Sequence, residues 1–165
     1  MDIMEYINVN LPKCVAYTPE NDGELIGLPY PYMMPCAYTG FRAMFYWDTY
    51  FIHKGLLIRG DLEQIRNDID NMRYLIRRYG FVPNANQKIA LFNSQPPFLS
   101  MMVRDYYDQT KDRIWLQDAY EDLVVEYDFW LNNRRTPGGL TCYVRTRTFL
   151  RVEYLPTLRE QVAEH

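Results

Sequence analysis

The stretch DLEQIRNDIDNMRYLIRRYG, Asp61 to Gly80, decides the fold class. Its apolar side chains recur every three or four positions, which is the period of one face of an α-helix. These residues are Leu62, Ile65, Ile69, Met72, Ile76 and Tyr79. Asp61 is suited to an N-cap, and Gly80 is suited to ending a helix. The sequence therefore predicts an amphipathic helix over residues 61–79.

Three further helices are predicted around this one, which makes the protein all-α. The segment 41–59 is aromatic on nearly every side, so its helix should be buried or should line a pocket. A helix over 97–109 begins with proline, which is favoured at a first helical position. A helix over 112–133 is predicted to bury one face, formed by Leu116, Tyr120, Leu123, Tyr127 and Trp130. The four helices form two hairpins.

Outside these helices the pattern is irregular, which divides the chain into two parts. Residues 1–40 carry prolines throughout their second half and are predicted to be an irregular wrapping segment without a long helix. Residues 41–165 are predicted to form one helical domain. Within it, RRTPGGL ends the helical pattern, and a last helical turn is predicted in residues 158–165.

Composition excludes several classes of function. The 165 residues carry a net charge of -3 with no basic block, so a nucleic-acid interface is not expected. No apolar run approaches the length that spans a bilayer, and the start lacks a signal-peptide layout, so a cytoplasmic protein is expected. The three cysteines are far apart and there are two histidines. The sequence therefore predicts no disulfide framework, no metal site and no cofactor.

The segment FVPNANQKIALFNSQPP, Phe81 to Pro97, is much longer than an ordinary helix connection. It contains three asparagines, two glutamines and three prolines. Neutral amides both donate and accept hydrogen bonds, and prolines stiffen the backbone that carries them. Such a loop favours a binding role over a simple turn.

A set of motifs along the chain resembles one enzyme family. GFRAMFYWDTYF is followed by GFVPNANQKIALFNSQPP, EYDFW and RVE. In this order and spacing they resemble the first third of the catalytic domain of trehalase-type glycoside hydrolases, over about residues 28–153. The wider group includes glucosylglycerate hydrolases and processing α-glucosidases. The resemblance implies helical hairpins forming part of an (α/α)6 toroid, and hydrolysis of α-linked glucosides with inversion.

The resemblance implies a set of substrate-binding residues: Phe41, Trp47, Asp48, Asn84, Gln95, Arg151 and Glu153. Sugar chemistry agrees, because a pyranose presents a C–H face to an aromatic plate and hydroxyls to amides and carboxylates. The plainer alternatives are a core anchor at Trp47, caps and turns at the amides, and a solvated charge pair at Arg151 and Glu153. Sugar binding requires Trp47, Asp48, Asn84 and Gln95 to share one concavity about the size of a sugar ring.

Departures from the family pattern leave the substrate open. Gly40 and Asn93 stand where trehalases carry arginines, and Val152 replaces the proline of Arg-Pro-Glu. Arginine supplies strong, geometrically fixed donors to sugar hydroxyls. A relative that acts on another α-glucoside, such as glucosylglycerate or mannosylglycerate, is equally consistent.

No catalytic residue is assigned on this chain. The resemblance implies that the acid and base of inversion lie beyond Arg-Pro-Glu, and Glu126 belongs to a helix-packing motif. The chain is thus expected to be the N-terminal part of an inverting hydrolase, inactive alone, whose open helix faces bind either the missing part of the toroid or a second copy. The alternative is a non-catalytic helical remnant that binds carbohydrate, or an interaction module.

Overall fold

The computed structural model describes residues 2–38 and 40–143 and is built from five α-helices. They are α1 (Ile3–Asn10), α2 (Tyr46–Arg59), α3 (Leu62–Tyr79), α4 (Leu99–Thr110) and α5 (Arg113–Asn133). Short 3-10 helices cover Leu11–Cys14 and Lys88–Phe92. Two-residue strands, β1 (Val15–Ala16) and β2 (Tyr32–Met33), pair antiparallel, with Val15 opposite Met33. The all-α prediction is confirmed.

Helix α3 lies at the centre of the described fold. It contacts α2, α4, α5 and β2. Its predicted apolar stripe is the buried one, with Ile65, Ile69, Met72 and Ile76 each at most 1% exposed. Gly60 and Gly80 end α2 and α3 in the left-handed conformation, at φ 77° and 82°, which glycine adopts without a steric penalty.

The wrapping segment contains a short helix that the sequence did not predict. Residues 3–10 precede the first proline, and the Asp2 carboxylate accepts a hydrogen bond from the Glu5 amide at 2.7 Å, which caps α1. None of the α1 side chains is buried. The hydrophobic pattern failed to indicate this helix because no side chain of α1 packs into the core.

Helix α2 begins five residues later than predicted. Phe45 is extended, with φ -99° and ψ 136°, and forms an isolated antiparallel bridge with Ala85 of the long loop. Met44 is buried at 1% exposure, yet its amide is bound by the side chain of Asn86 instead of a helical carbonyl. The aromatic segment 41–45 therefore pairs with the loop, and that pairing competes with the helix.

The predicted buried face of α5 is wrong at two of its five positions. Tyr120 and Tyr127 are each 63% exposed, whereas Trp130 is buried and the partly buried Leu116 and Leu123 pack against the core. The buried positions are Trp115, Ala119, Asp122, Glu126, Phe129 and Trp130. Two of these six side chains are acidic, and they are buried because partners on α2 and α3 hold them, as described below.

Arginine and aspartate side chains connect α3 to α5. Arg73 binds Asp122 through Nε at 2.7 Å and Asp70 through Nη1 at 2.7 Å, and it also contacts Asp118. Arg77 binds the other oxygen of Asp122 at 2.9 Å. The side chains of Arg73 and Asp122 are each only 6% exposed. This network fixes the register of α3 against α5. Because its charges are paired with one another, we assign it a structural role.

A second buried polar pair links α2 to α3. His53 and Asp68 are 1% and 0% exposed, and His53 Nε2 lies 3.1 Å from Asp68 Oδ2. The other oxygen of Asp68 accepts from the backbone amide of Met33 at 2.9 Å. The pair therefore also ties strand β2 to the helices.

Candidate functional site

The long loop after α3 is pinned to the chain segment that leads into α2. The buried side chain of Asn86 accepts from the Met44 amide at 2.8 Å and donates to the Ile26 carbonyl at 2.9 Å. The Asn84 carbonyl accepts from the Tyr46 amide at 3.1 Å. These bonds place the amide-rich loop directly over the first turn of α2.

Gln95 caps the start of α2. The first amides of a helix lack intrahelical acceptors, and Phe45 at the N-cap has no side-chain acceptor. Gln95 Oε1 accepts from the Trp47 amide at 2.9 Å. Within the described residues, Gln95 Nε2 makes no hydrogen bond. The cap thus orients the amide and leaves its two N–H donors for a ligand.

Trp47 presents an aromatic face to solvent. It is 42% exposed and meets the ring of Phe51 edge-on, with centroids 6.1 Å apart. Phe51 is itself 58% exposed and packs on Phe98 at 5.8 Å. The core-anchor alternative for Trp47 is therefore wrong, because a core anchor would be buried. An exposed indole beside free polar groups suits the C–H face of a sugar.

Asp48 and the backbone of Asn84 lie at the start of α2. Asp48 is the third residue of α2 and is half-buried, and the Asn84 carbonyl binds the Tyr46 amide. Neither the Asp48 carboxylate nor the Asn84 side-chain amide has a hydrogen bond or ion pair within the part of the chain that the structure describes. A carboxylate at a helix N-terminus is stabilised by the helix dipole and can accept hydrogen bonds from two hydroxyls.

Phe41 lies five residues before the start of α2. It is 58% exposed and packs edge-on against Phe45, with centroids 5.6 Å apart. The remaining predicted site residues, Arg151 and Glu153, lie outside the described residues. The structure thus joins Trp47 and Gln95 through a direct contact, with Asp48 and the Asn84 backbone at the same helix start. Their convergence on a single sugar-sized concavity stays a prediction.

A buried arginine supports the loop at Ser94, and no sequence pattern indicates it. Arg134 directly follows α5 and is 2% exposed. Its Nε donates to Ser94 Oγ at 2.6 Å, and its guanidinium lies 4.8 Å from the centre of the Phe129 ring. Burial lowers the pKa of Arg134. Because Ser94 precedes Gln95, this contact fixes the backbone that carries the cap.

A second support lies behind the first residue of α2. The Tyr46 hydroxyl donates to Glu126 Oε1 at 2.6 Å and accepts from the Leu99 amide at 3.0 Å. Burial raises the pKa of Glu126 to about 7, although hydrogen bonds from Tyr46 and Trp130 act in the opposite direction. Burial, followed by the charge of Glu126, raises the pKa of Tyr46. The helix-packing prediction for Glu126 agrees with this geometry.

Neither a metal-binding cluster nor a membrane-spanning helix is found among the described residues. Among residues 2–38 and 40–143, no group of three or more histidine, cysteine, aspartate or glutamate side chains could hold a metal ion. No helix in the described part combines the length and apolarity that crossing a membrane requires.

Comparison with known proteins identifies the family of this chain. The trehalase family model matches residues 5–153. A trehalase from Tenebrio molitor is 40% identical over 94 residues, covering 57% of this chain and 17% of that protein. A periplasmic trehalase from Xanthomonas axonopodis pv. citri is 36% identical over 132 residues, covering 78% of this chain and 22% of that protein.

A solved structure agrees at the level of the fold. Neutral trehalase Nth1 from Saccharomyces cerevisiae superposes with a TM-score of 0.63 at 24% identity, covering 91% of this chain and 29% of that one. This match supports the predicted helical hairpins of a toroid. The chain spans about a fifth of the length of the curated relatives it matches. With a family model that covers most of its length, the chain belongs to the trehalase family.

Proposed function

We propose that this chain supplies the hydroxyl-binding part of the substrate pocket of an inverting α-glycoside hydrolase. The substrate is trehalose or a related small α-glucoside. The observation that most supports the proposal is that Trp47 is exposed and that its amide is bound by Gln95, whose side-chain nitrogen makes no hydrogen bond within the described residues. Proteins named trehalases among the relatives support the substrate class.

Each residue has a distinct role in this proposal. Trp47 stacks on the C–H face of the sugar, and Asp48 accepts hydrogen bonds from two neighbouring hydroxyls. Gln95 donates through Nε2, since its oxygen is held by the Trp47 amide. Asn84 can both donate and accept. Phe41, Arg151 and Glu153 complete the pocket on the evidence of the family resemblance.

The proposal separates binding from catalysis. Inversion requires a carboxylic acid and a carboxylate base, roughly 6.5–9.5 Å apart, on opposite sides of the scissile bond. The family resemblance assigns both groups to positions beyond this chain. The isolated chain is therefore expected to bind a sugar without hydrolysing it. Neutral hydrogen bonds of about 0.5–1.5 kcal/mol each in a half-open pocket give millimolar affinity, equivalent to about 4 kcal/mol.

The experiment is a trehalose titration of the ¹⁵N-labelled chain, followed through the indole signal of Trp47. Millimolar trehalose should shift this signal, and Asp48→Asn should weaken the affinity severalfold. Tyr120→Ala removes an exposed aromatic ring on α5, away from the loop, and should leave the affinity unchanged. Absence of any Trp47 shift, or an affinity unaffected by Asp48→Asn, would refute the binding role.

Activity provides the complementary measurement. The pure chain should release no glucose from trehalose or glucosylglycerate above the blank. Hydrolysis that is abolished by Asp48→Ala would contradict the proposal, because the catalytic pair would then have to lie on this chain.

The exposed face of α5 favours the alternative function, an interaction module. Four side chains on this face follow each other at helical spacing and are 39–63% exposed: Tyr120, Val124, Tyr127 and Leu131. Such a stripe suits another helix, from the remaining toroid or from a second copy. Light scattering of the wild type and of Val124→Glu tests self-association. A concentration-dependent mass that Val124→Glu abolishes supports the second copy, and a monomer at all concentrations excludes it.

Location remains a prediction as well. The cytoplasm is proposed from the sequence, whereas the relatives include proteins named periplasmic trehalases.

A further inference from the structure

Three helices meet at a single buried hydroxyl group. Tyr46 is the first residue of α2, Leu99 is the first residue of α4, and Glu126 lies in the middle of α5. The three residues are 1%, 0% and 5% exposed. The Tyr46 hydroxyl donates to Glu126 and accepts from the Leu99 amide. It is therefore the point at which the starts of two helices are joined.

The direction of these hydrogen bonds depends on Glu126. A tyrosine hydroxyl has one proton. While that proton points at Glu126 Oε1, the oxygen lone pairs are free for the Leu99 amide, which as the first amide of α4 lacks a helical acceptor. If Glu126 could not accept, the hydroxyl would have to find another acceptor or remain unpaired in the core.

The same junction controls the spacing of two candidate sugar-binding residues. Trp47 follows Tyr46 directly, and three residues separate Gln95 from Leu99, two of which are the stiff Pro96 and Pro97. Because Tyr46 is bound to Leu99, the backbone positions of Trp47 and Gln95 are both restricted. The 2.9 Å hydrogen bond from the Trp47 amide to Gln95 Oε1 depends on these two positions.

We propose that Glu126 is a positioning residue for sugar binding. By accepting a hydrogen bond from the Tyr46 hydroxyl it holds the start of α4 against the start of α2, and this keeps the Gln95 amide on the first turn of α2 beside Trp47. The role in sugar binding rests on the proposed function, whereas the role in holding the Gln95 cap does not.

Hydrogen exchange tests the cap without any ligand. The Trp47 amide has Gln95 as its acceptor, so its exchange rate reports the spacing directly. Glu126→Leu keeps a similar volume and removes the acceptor, and it should speed exchange of the Trp47 amide at least tenfold. Glu126→Gln retains an acceptor oxygen and should keep the rate within about twofold. Tyr46→Phe removes the hydroxyl itself and should behave like Glu126→Leu.

A matched control separates positioning from loss of stability. Val103 is 1% exposed on α4, and Val103→Ala destabilises the core while it leaves the Tyr46 hydroxyl, the Glu126 carboxyl group and the Leu99 amide in place. The amide of Ile69, in the middle of α3, reports global unfolding in every variant. The measured quantity is the exchange rate of the Trp47 amide divided by that of the Ile69 amide. The proposal is overturned if Val103→Ala raises this ratio as much as Glu126→Leu does. It is also overturned if Glu126→Leu and Tyr46→Phe leave the ratio unchanged. If one of those two variants fails to fold, the other decides.

Trehalose titration of the same variants tests the link to sugar binding. Glu126→Leu should weaken the affinity at least fivefold, and Glu126→Gln should restore it to within twofold of wild type. Equal affinities in Glu126→Leu and wild type would overturn the sugar-positioning role. If the wild type itself binds no trehalose, the proposed function fails, and the exchange rates still decide whether Glu126 holds the cap.

Discussion

The buried carboxyl group of Glu126 makes a specific prediction about how stability depends on pH. Burial raises its pKa in the folded protein from the ordinary 4.5 to about 7. Between these two values the folded state keeps a proton that the unfolded state has released. By linkage, the free energy of unfolding therefore decreases as the pH rises through this window.

The size of the effect follows from the difference between the two pKa values. Each pKa unit corresponds to about 1.4 kcal/mol, so the contribution of Glu126 should fall by about 3 kcal/mol between pH 4.5 and pH 7. The group is only 5% exposed, so little of this effect is screened by solvent. Below pH 4.5 and well above pH 7 the contribution is constant, because both states then carry the same charge at this position.

Urea unfolding measured from pH 4.5 to pH 8 provides the assay. Other groups also titrate in this range, so the informative quantity is the difference between wild type and Glu126→Gln. That difference should change by about 3 kcal/mol in favour of the variant as the pH rises. Glu121→Gln, an exposed substitution on the same helix, serves as the control and should follow wild type. Parallel curves for wild type and Glu126→Gln would refute the reasoning.

Four further substitutions test the packing and the pocket. Arg73→Met should cost about 1–3 kcal/mol in urea unfolding, because the buried Asp122 loses the hydrogen bond from Arg73 and keeps only those from Arg77. Gly27→Ala should lower the melting temperature, since an added Cβ would lie 2.6 Å from backbone, whereas Gly55→Ala in the exposed middle of α2 meets nothing within 4 Å and should stabilise by about 0.5–1 kcal/mol. Gly40→Arg also has open space around its Cβ and should tighten trehalose binding about tenfold, measured by titration.

The buried face of a helix can be predicted from the sequence where its apolar side chains are the buried ones. In α3 five of the six positions of the apolar stripe are buried, and the period together with Asp61 and Gly80 predicts the helix to within a residue at each end. In α5 polarity and burial disagree. Asp122 and Glu126 are buried because Arg73 and Tyr46 reach them from other helices, at sequence separations of 49 and 80 residues. A local pattern contains no information about such partners, and the exposed tyrosines were therefore assigned to the wrong face.

The candidate site shows the same division. The family resemblance pointed to Trp47, Asp48 and the amides of the long loop, and their chemistry agrees, because aromatic plates and neutral amides are what sugar binding requires. The residues that support them were not predictable in this way. Arg134 beneath Ser94 has no motif of its own, and only the folded chain shows that its side chain is buried.

Gln95 shows why a capping role and a binding role need not be alternatives. Its oxygen binds the Trp47 amide, and this contact restricts the side-chain torsions of Gln95 before any sugar binds. Sugar binding therefore costs less conformational entropy than it would with an unrestrained glutamine. Gln95→Glu separates the two roles, because a carboxylate can still accept from the Trp47 amide at the helix start but has no N–H donors. Slow exchange of the Trp47 amide combined with weakened trehalose binding in this variant would show that the same side chain performs both. Unchanged trehalose binding would show that the cap is the only role of Gln95. The N–H groups that donate to the sugar hydroxyls would then have to come from Asn84 and Arg151.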